Sequence, residues 1–418
     1  MAKLQPVRGT RDIWGDEARR MEHVIRAFIG VAQRFCYSKI STPVFEFAEV
    51  FKRSLGEASD VVSKEMYTFK DRGGEEITLR PEYTAGIARA YISEGMQQFG
   101  VSKLYGYGPM FRYERPQKGR YRQFHQLDVE VIGAADAGAD IEIIALGQQL
   151  LEDLGLAGKV ELHLNSLGDM DSRKAYRAAL VAYFSDHKDK LSDDSKIRLD
   201  KNPLRILDSK DRGDRALLGD APKLSDHMNT ASADFIGAVK AGLDALDIAY
   251  LQDDHLVRGL DYYCHTAFEF ITTELGAQGT VIGGGRYDGL IEQLGGPPTP
   301  GVGWAAGIER LAMLLDETPP QVRPIAMVPL GSEAEARALA IAHDLRLRGL
   351  AVDTAFRGNI KKRLQRANRI NARVAVILGD DELAKGVASL RDLDSGNQRE
   401  VALDDLVEKL ADELAPEN

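Results

Sequence analysis

The sequence predicts an α+β chain of two domains: a larger one built on antiparallel hairpins and interrupted by a helical module, and a smaller α/β one behind it. Three observations predict this. Alternating residues flank turn chemistry at 71–74 and a basic loop at 115–122; the stretch 170–230 is polar and helix-like; and DETPPQVRP, 316–324, precedes a segment in which strands and helices alternate. A length of 418 residues exceeds one compact core, since domains commonly run to about 100–200 residues.

The elements follow in order. After Asp16, a candidate N-cap, Met21, Val24, Ile25, Phe28, Ile29, Ala32 and Phe35 recur at helical spacing and mark a core-facing helix. SerThrPro at 41–43 leads into extended VFEF, and Pro43 suits an edge or an interface because it cannot donate to a ladder. Tyr67 and Phe69, then Ile77 and Leu79, predict a hairpin about the turn AspArgGlyGly, with a helix after Pro81. KLYGYGPMFRYE and QFHQLDVEVIG read as antiparallel strands joined by the basic loop. Beyond the helical module come strand-like LVRGLDYYCHTAFEF, a glycine turn VIGGGRYDG, and GVGWAAG running into a helix. Past the linker, PIAMVPLG, a helix from Ala334 to Leu347, LAVDTAF, a basic helix and RVAVILG complete the α/β pattern.

Composition limits the function classes. Net charge is −10 with pI near 5.5, which excludes a protein that coats nucleic acid over its whole surface but leaves room for local basic patches. Cys36 and Cys264 stand far apart without a CxxC, so neither a disulfide framework nor a zinc site is indicated, and a reducing cytoplasm fits best. MAKLQPVRGTRDIW lacks the apolar run of a signal peptide, and no stretch of about 18–20 apolar residues occurs, so no membrane span is expected.

The segment 109–133 carries the densest chemistry, with five cations between Arg112 and Arg122 around one acid, Glu114. Arg112 sits between Phe111 and Tyr113, which face the other side of the strand, so its guanidinium is a candidate for a bidentate pair with a phosphate; in isolation it is also an ordinary surface arginine. In the next strand Gln126, Asp128 and Glu130 share one face and Leu127, Val129 and Val131 the other. Such a polar face is commonly just solvated, but the nearby cations and glycine motifs make it a candidate pocket wall. No GxxxxGK[ST] loop, HExxH pair or GxSxG elbow occurs, which leaves strand arginines to hold phosphate and gives covalent catalysis no recognisable nucleophile. GVGWAAG matches the weaker dinucleotide fingerprint yet closes a domain where that fingerprint opens a βαβ unit. Arg310, in the first turn of the following helix, opposes the helix dipole, a conflict that a bound anion removes. The helix within 357–373 has seven cations and no acid, with Ile360, Leu364, Ala367 and Ile370 as its apolar stripe. A solvated face, a membrane surface or nucleic acid are its three readings.

RGTRD, LRPEYTAGIARA, FRYERPQKGRYRQFHQ, LVRGLDYY, GGGRYDGL and GVGWAAGIERL, in this order and over nearly the whole length, resemble the class II aminoacyl-tRNA synthetases and, within them, the bacterial histidyl-tRNA synthetase family. FRYERPQKGRYRQFHQ and LVRGLDYY are its most specific motifs. The resemblance implies a catalytic domain, 1–321, on a six-stranded antiparallel sheet with a helical insertion at 170–230, and an α/β anticodon-binding domain, 322–418. It also implies a homodimer through the region of Pro43. The reaction implied joins L-histidine to histidine tRNA at the expense of ATP, through histidyl-adenylate, with Mg²⁺ arriving on ATP and no protein-ligated zinc.

Carried over by position, Arg112 and Arg258 become the catalytic cations on the α-phosphate and the histidine carboxylate, with Arg310 on the γ-phosphate. Glu114, Arg115, Arg120 and Phe124 complete the ATP surface, Phe124 by stacking on adenine. Glu82 and Thr84 receive the ammonium, Glu130 and Tyr263 the imidazole, Gln126 the amino-acid end, and Tyr262 and Tyr287 close the pocket. A site that hydrogen-bonds both imidazole nitrogens rejects apolar amino acids by about 10⁴ or more, so no editing domain is required. Gln117 faces the acceptor end of the tRNA, and Arg357, Lys361, Lys362 and Arg366 of the basic segment are the further tRNA contacts. Tyr83, and Cys264 with His265, depart from the commoner residues at their positions without removing an assigned role. The alternative is a synthetase-like regulatory subunit of ATP phosphoribosyltransferase; such relatives usually lack the anticodon domain and have eroded motifs.

Overall fold

The apolar residues that recur after Asp16 form the helix Gly15–Arg34, with Met21, Val24, Phe28, Val31 and Ala32 as its buried face. Asp16 does not cap this helix: helical backbone begins one residue earlier, so Asp16 lies in the first turn, where its charge suits the dipole, and Trp14 occupies the cap position. The computed structural model describes residues 3–56, 59–117, 119–207, 209–257, 262–276 and 279–414, and the chain divides into two compact units, Met1–Pro319 and Pro320–Asn418.

The first unit is built on a sheet whose spatial order is Ser38–Lys39, Ser102–Phe111, Gln123–Ile132, Gly301–Gly307, Thr280–Arg286, Cys264–Ile271, Glu161–Ser166 and Leu251–Gln252. The six long strands are mutually antiparallel; the two-residue outer strands run parallel to their neighbours. VIGGG is therefore not the turn expected from its glycines but a central strand. The reason is steric: a Cβ on Gly284 would overlap Gly303 O and the Trp304 side chain of the adjoining strand. Of the strand-like stretch that follows Leu256, only Cys264–Ile271 is strand, and residues 258–261 lie outside the described set.

One face of this sheet is apolar. Leu127, Val129, Val131, Ile282, Val302, Trp304, Phe268 and Phe270 pack with Phe28 of the first helix and with Ile143, Ile144, Leu146 and Leu150 of the helix Ala137–Asp153. Trp304 Nε1 donates to Ile143 O at 2.8 Å, so the indole buries its ring without leaving a donor unpaired. Each such large side chain contributes about 1.5–3 kcal/mol by leaving water, which holds the sheet rigid and leaves its other face for chemistry.

The hairpin Tyr67–Lys70 with Glu76–Leu79 pairs Phe69 with Ile77, and the strand Phe45–Phe47 adds to it, giving a separate three-stranded sheet. Phe45, Phe47 and Phe69 stay exposed on it. The helix Thr84–Ser93 follows Pro81 as expected.

Within 170–230 lie the helices Met170–Asp186, Asp193–Lys201 and Arg212–Leu218, which enclose a small core of Tyr176, Leu180, Phe184, Leu191, Leu199, Ile206 and Leu217. Asp214 knits their loops together, accepting from Ser192 N at 2.8 Å and from the hydroxyls of Ser192, Ser195 and Ser209 at 2.6–2.7 Å.

The second unit has a five-stranded sheet in the order Val352–Thr354, Ile325–Pro329, Val374–Leu378, Val387–Asp392 and Gln398–Ala402. The first three strands are parallel, as alternation with helices requires, and the last two form an antiparallel extension.

Asp214→Ala is expected to destabilise the helical module by about 1–3 kcal/mol, because two buried hydroxyls and one partly buried hydroxyl lose their acceptor; urea unfolding monitored by circular dichroism reads this. Burial opposes ionisation of Asp214, but hydrogen bonds from Ser195, Ser209 and Ser192 hold its carboxyl below the usual range. Its stabilising share is thus present above about pH 4 and lost as pH falls through the lowered value. The variant should therefore show a flatter acid limb.

Candidate active site

The polar face of Gln123–Ile132 is not solvated. Asp128 and Glu130 are fully buried, and the strands beside them present almost no side chains. Gly106 and Gly108 lie opposite Asp128 and Gln126 on one side; Gly303, Ala305 and Gly307 lie opposite Glu130, Asp128 and Gln126 on the other, with Gly283 and Gly285 one strand further. The glycine motifs thus form a bare floor. A Cβ at Gly303 would overlap Glu130 Oε2, one at Gly301 would overlap the Tyr287 ring, and one at Gly285 would come within 2.9 Å of Tyr263.

Cations collect at one end of this floor. Arg112, Glu114, Arg120, Phe124, Gln126 and Arg310 line one cavity of about 360 Å³. Arg112 Nε donates to Pro81 O at 2.8 Å, and its guanidinium lies 5.4 Å from the Phe124 ring centroid. Arg120 is ion-paired with Glu114. Arg310 Nη1 donates to Thr280 O at 2.8 Å and Nε to Gly119 O at 3.4 Å. Burial, then the charges of Arg120 and Arg112, push the Arg310 guanidinium below its ordinary value, the signature of three cations held around one space. A polyanion relieves that repulsion.

Acids collect at the other end. Glu82, Asp128 and Glu130 are buried together beside Thr84 and Tyr287. Glu82 Oε1 accepts from Ala85 N at 2.9 Å, and burial raises its carboxyl while Ala85, Arg112 and Thr84 oppose the rise. Tyr287 donates to Glu130 Oε2. Burial pushes Glu130 up to about 7, although donation from Thr84 and Tyr287 favours its ionised form. Among the described residues Gln126 Oε1, both oxygens of Asp128 and Glu130 Oε1 are buried acceptors that meet no donor. Four acceptors on one strand face fit a ligand rich in N–H groups. Tyr262 packs at a tilt against Tyr263, centroids 4.5 Å apart, and meets Tyr287 edge-on at 5.8 Å, walling this end.

Two pairs that sequence reasoning missed, one fully buried and one partly buried, fix the frame. Arg286 is held by Asp140, with Nε 3.1 Å from Oδ2, and by Ala134 O and Asp288, which sets the backbone leading into Tyr287. His125 Nδ1 lies 2.7 Å from Glu309 Oε1, tying the motif strand to the helix Ile308–Leu314. The arginine after three glycines was the available signal for the first. Neither Asp140 nor Glu309 announces itself locally, because each partner is more than a hundred residues away. Arg205 of the helical module also reaches the cation-lined cavity and lies 3.5 Å from Asp60.

Other expected residues fall elsewhere. Arg115 and Gln117 are exposed on the loop, and Arg115 does not line the cavity. Arg258 lies outside the described residues. In the second unit the helix Ile360–Arg369 leaves Arg357 before it, and Lys361 and Lys362 on it, exposed. Arg366 is instead held by Asp353 through two bonds of 2.9 and 2.6 Å, and Arg363 is buried against Glu335. Ile360 of the expected apolar stripe is exposed, whereas Leu364, Ala367 and Ile370 pack inward. Among the described residues no group of three or more His, Cys, Asp or Glu side chains is placed to hold a metal ion, and no helix is long and apolar enough to cross a membrane.

Residues 9–311 match the family model described as Histidyl-tRNA synthetase, and residues 325–413 the model described as Anticodon binding domain. The chain belongs to the histidyl-tRNA synthetase family. A histidine–tRNA ligase of Rhodospirillum rubrum is 60% identical over 412 residues, covering 98% of this chain and 99% of the relative. One of Gluconacetobacter diazotrophicus is 53% identical over 98% of this chain and 99% of its own. Among solved structures, the apo histidyl-tRNA synthetase of S. aureus superposes with a TM-score of 0.82 at 36% identity, covering 98% of this chain and all of that one. A Bacillus halodurans protein described as an ATP phosphoribosyltransferase regulatory subunit/histidyl-tRNA synthetase shares the fold at 22% identity and a TM-score of 0.65. That distance shows fold alone, and the regulatory-subunit alternative is not favoured.

Gly303→Ala should abolish histidine-dependent exchange of pyrophosphate into ATP, because the added methyl occupies the place of the Glu130 carboxyl. Ala306→Gly, on the opposite face of the same strand, should retain exchange; equal losses in both would mean that strand stability, not the floor, was tested.

Proposed function

We propose that the protein charges histidine tRNA with L-histidine in two steps. The observation that carries this reading is the division of one glycine-floored sheet face into a three-arginine end and a three-carboxyl end. A triphosphate and an ammonium-bearing amino acid fit such a face side by side. The amino-acid carboxylate attacks the α-phosphorus of MgATP, pyrophosphate leaves, and histidyl-adenylate forms. A hydroxyl of the terminal ribose of the tRNA then attacks the carbonyl carbon and AMP leaves. No protein nucleophile takes part; positioning and charge stabilisation lower the barrier.

In this reading Arg112 and Arg258 neutralise the charge that grows on the α-phosphate, and Arg310 holds the γ-phosphate, supported by its place in the cation-lined cavity. Glu114 fixes Arg120, and Phe124, already beneath Arg112, offers its ring to adenine. Arg115, exposed outside the cavity, has no such support. Glu82 and Thr84 take the ammonium, Gln126 the amino-acid end, and Glu130 with Tyr263 the imidazole; Tyr262 and Tyr287 close the pocket. Mg²⁺ enters as part of the nucleotide substrate. Gln117, Arg357, Lys361 and Lys362 are exposed cations or donors suited to tRNA, whereas Arg366 serves its own domain through Asp353. A homodimer is supported by exposed Phe45, Phe47 and Phe69 on the three-stranded sheet, and a cytoplasmic setting by the two free cysteines.

Aminoacylation of total tRNA with histidine, compared with each other amino acid, tests the reading; activity with another amino acid but not histidine would overturn it. Arg112→Ala and Arg258→Ala should each lower exchange by about 10²-fold or more while tRNA binding persists. Neutralising Lys361 and Lys362 together should weaken tRNA binding and reduce the slope of log affinity against log salt by about 1–2.

A further inference from the structure

Asp128 is the one carboxyl of the amino-acid end to which the reaction above gives no task. Its side chain is fully buried, and among the described residues neither of its oxygens meets a donor. Its strand neighbours supply none, since Gly106 and Ala305 lie opposite it. Among the described residues, the titratable and charged groups that act on it come from several elements. Glu130 lies on its own strand, Glu82 precedes the helix Thr84–Ser93, Tyr287 follows the strand Thr280–Arg286, and Arg80 follows Glu76–Leu79. Arg80 is committed elsewhere, with Nε donating to Pro109 O and Nη1 to Thr42 O, each at 2.9 Å. Tyr287 is committed to Glu130. Tyr83 covers Gly106 and stacks against Arg80 at 4.4 Å. Among the described residues, the remaining charged groups acting on Asp128 are two more acids, Glu130 and Glu82.

A buried carboxylate facing carboxylates has two ways to be satisfied: it keeps a proton, which it then donates to a neighbouring carboxylate, or a cation replaces that proton. We propose that Asp128 is a specificity-determining residue of the amino-acid pocket that carries a proton in the free enzyme and exchanges it for the substrate's ammonium group. The proton leaves Asp128 for solvent as the ammonium arrives between Asp128 and Glu82, so charge within the pocket is conserved. The place of Asp128 between Gln126 and Glu130 on the strand face puts it where the backbone end of the amino acid gives way to its side chain. An amino acid whose amine is uncharged or blocked cannot trigger the exchange, which makes the pocket selective for a free, protonated α-amine. Burial and the facing acids, Glu130 before Glu82, push the Asp128 carboxyl well above its ordinary value, in accord with a proton retained at neutral pH.

This inference rests on the histidine-binding reading of the pocket, and one experiment separates the two. Calorimetric titration of L-histidine into the full-length protein, in buffers of different ionisation enthalpy between pH 7 and 8.5, counts protons released per histidine bound. Wild type is expected to release more than Asp128→Asn, by a difference approaching about one proton, and its log affinity should rise more steeply with pH by the same amount. The ligand's own titrations cancel in that difference. Equal proton counts overturn the role of Asp128 alone; wild type that fails to bind histidine overturns the pocket reading and this inference with it. Thermal melting without histidine covers the case of a variant that binds too weakly. A carboxyl raised by folding gives stability that is full below the unfolded value near about pH 4 and declines as pH rises toward the folded value. The melting temperature of wild type should therefore fall relative to both Asp128→Asn and Asp128→Ala as pH rises from 5 to 8.5. Parallel curves would mean that Asp128 holds no proton in the free enzyme.

Discussion

The absence of a single methyl group at Gly303 governs the site. Glu130 points across its own sheet toward the adjoining strand, and only a residue without Cβ leaves room for the carboxyl there. The same logic extends to Gly301 beneath Tyr287 and Gly285 beside Tyr263. A sheet normally covers both faces with side chains; here one face is stripped so that ligand atoms can approach the backbone, and the apolar opposite face supplies the stability. Trp304, on the strand that carries Gly301 and Gly303, is fully buried on that second face.

Such a floor has little chemistry of its own, and the charges at its margins divide it. Burial and the charges of Arg120 and Arg112 push Arg310 below its ordinary value, while burial raises Glu82, Asp128 and Glu130, with the neighbouring acids adding to the rise of Asp128. Each cluster is costly alone. Each becomes favourable when a ligand of opposite charge arrives, so binding relieves strain that folding against the apolar face has put in place. Arg112, whose charge also favours the ionised form of Glu82, belongs to both ends. That dual position suits a residue expected to act where carboxylate and α-phosphate meet.

Much of this was legible in the sequence because it depended on local periodicity. Alternation along 123–132 separated Leu127, Val129 and Val131 from Gln126, Asp128 and Glu130, and the structure keeps that separation while turning the polar side inward. Helical spacing marked the buried face of Gly15–Arg34. What escaped was whatever depended on distant partners. VIGGG has the composition of a turn, and its identity as a strand follows from the tight approach of Gly284 to Gly303 and Trp304. Asp140 reads as an unremarkable helix residue until Arg286, fully buried, reaches it. Arg366 looks like one cation among seven, yet Asp353 already holds it.

The sequence by itself determined the family, the order of the elements and the residue types at the site, because motifs and hydrophobic periods are properties of neighbouring residues. Only the tertiary structure decided which polar residues are buried without donors, which arginines line the cavity, and which glycines are demanded by a neighbour rather than by a turn. Burial and pairing are set by residues far apart in the chain, and the environment they create, more than the side chain's own chemistry, fixes its charge. Asp128 shows the difference: in the sequence it is one polar residue in an alternating strand, and in the fold it is a buried acid facing two others.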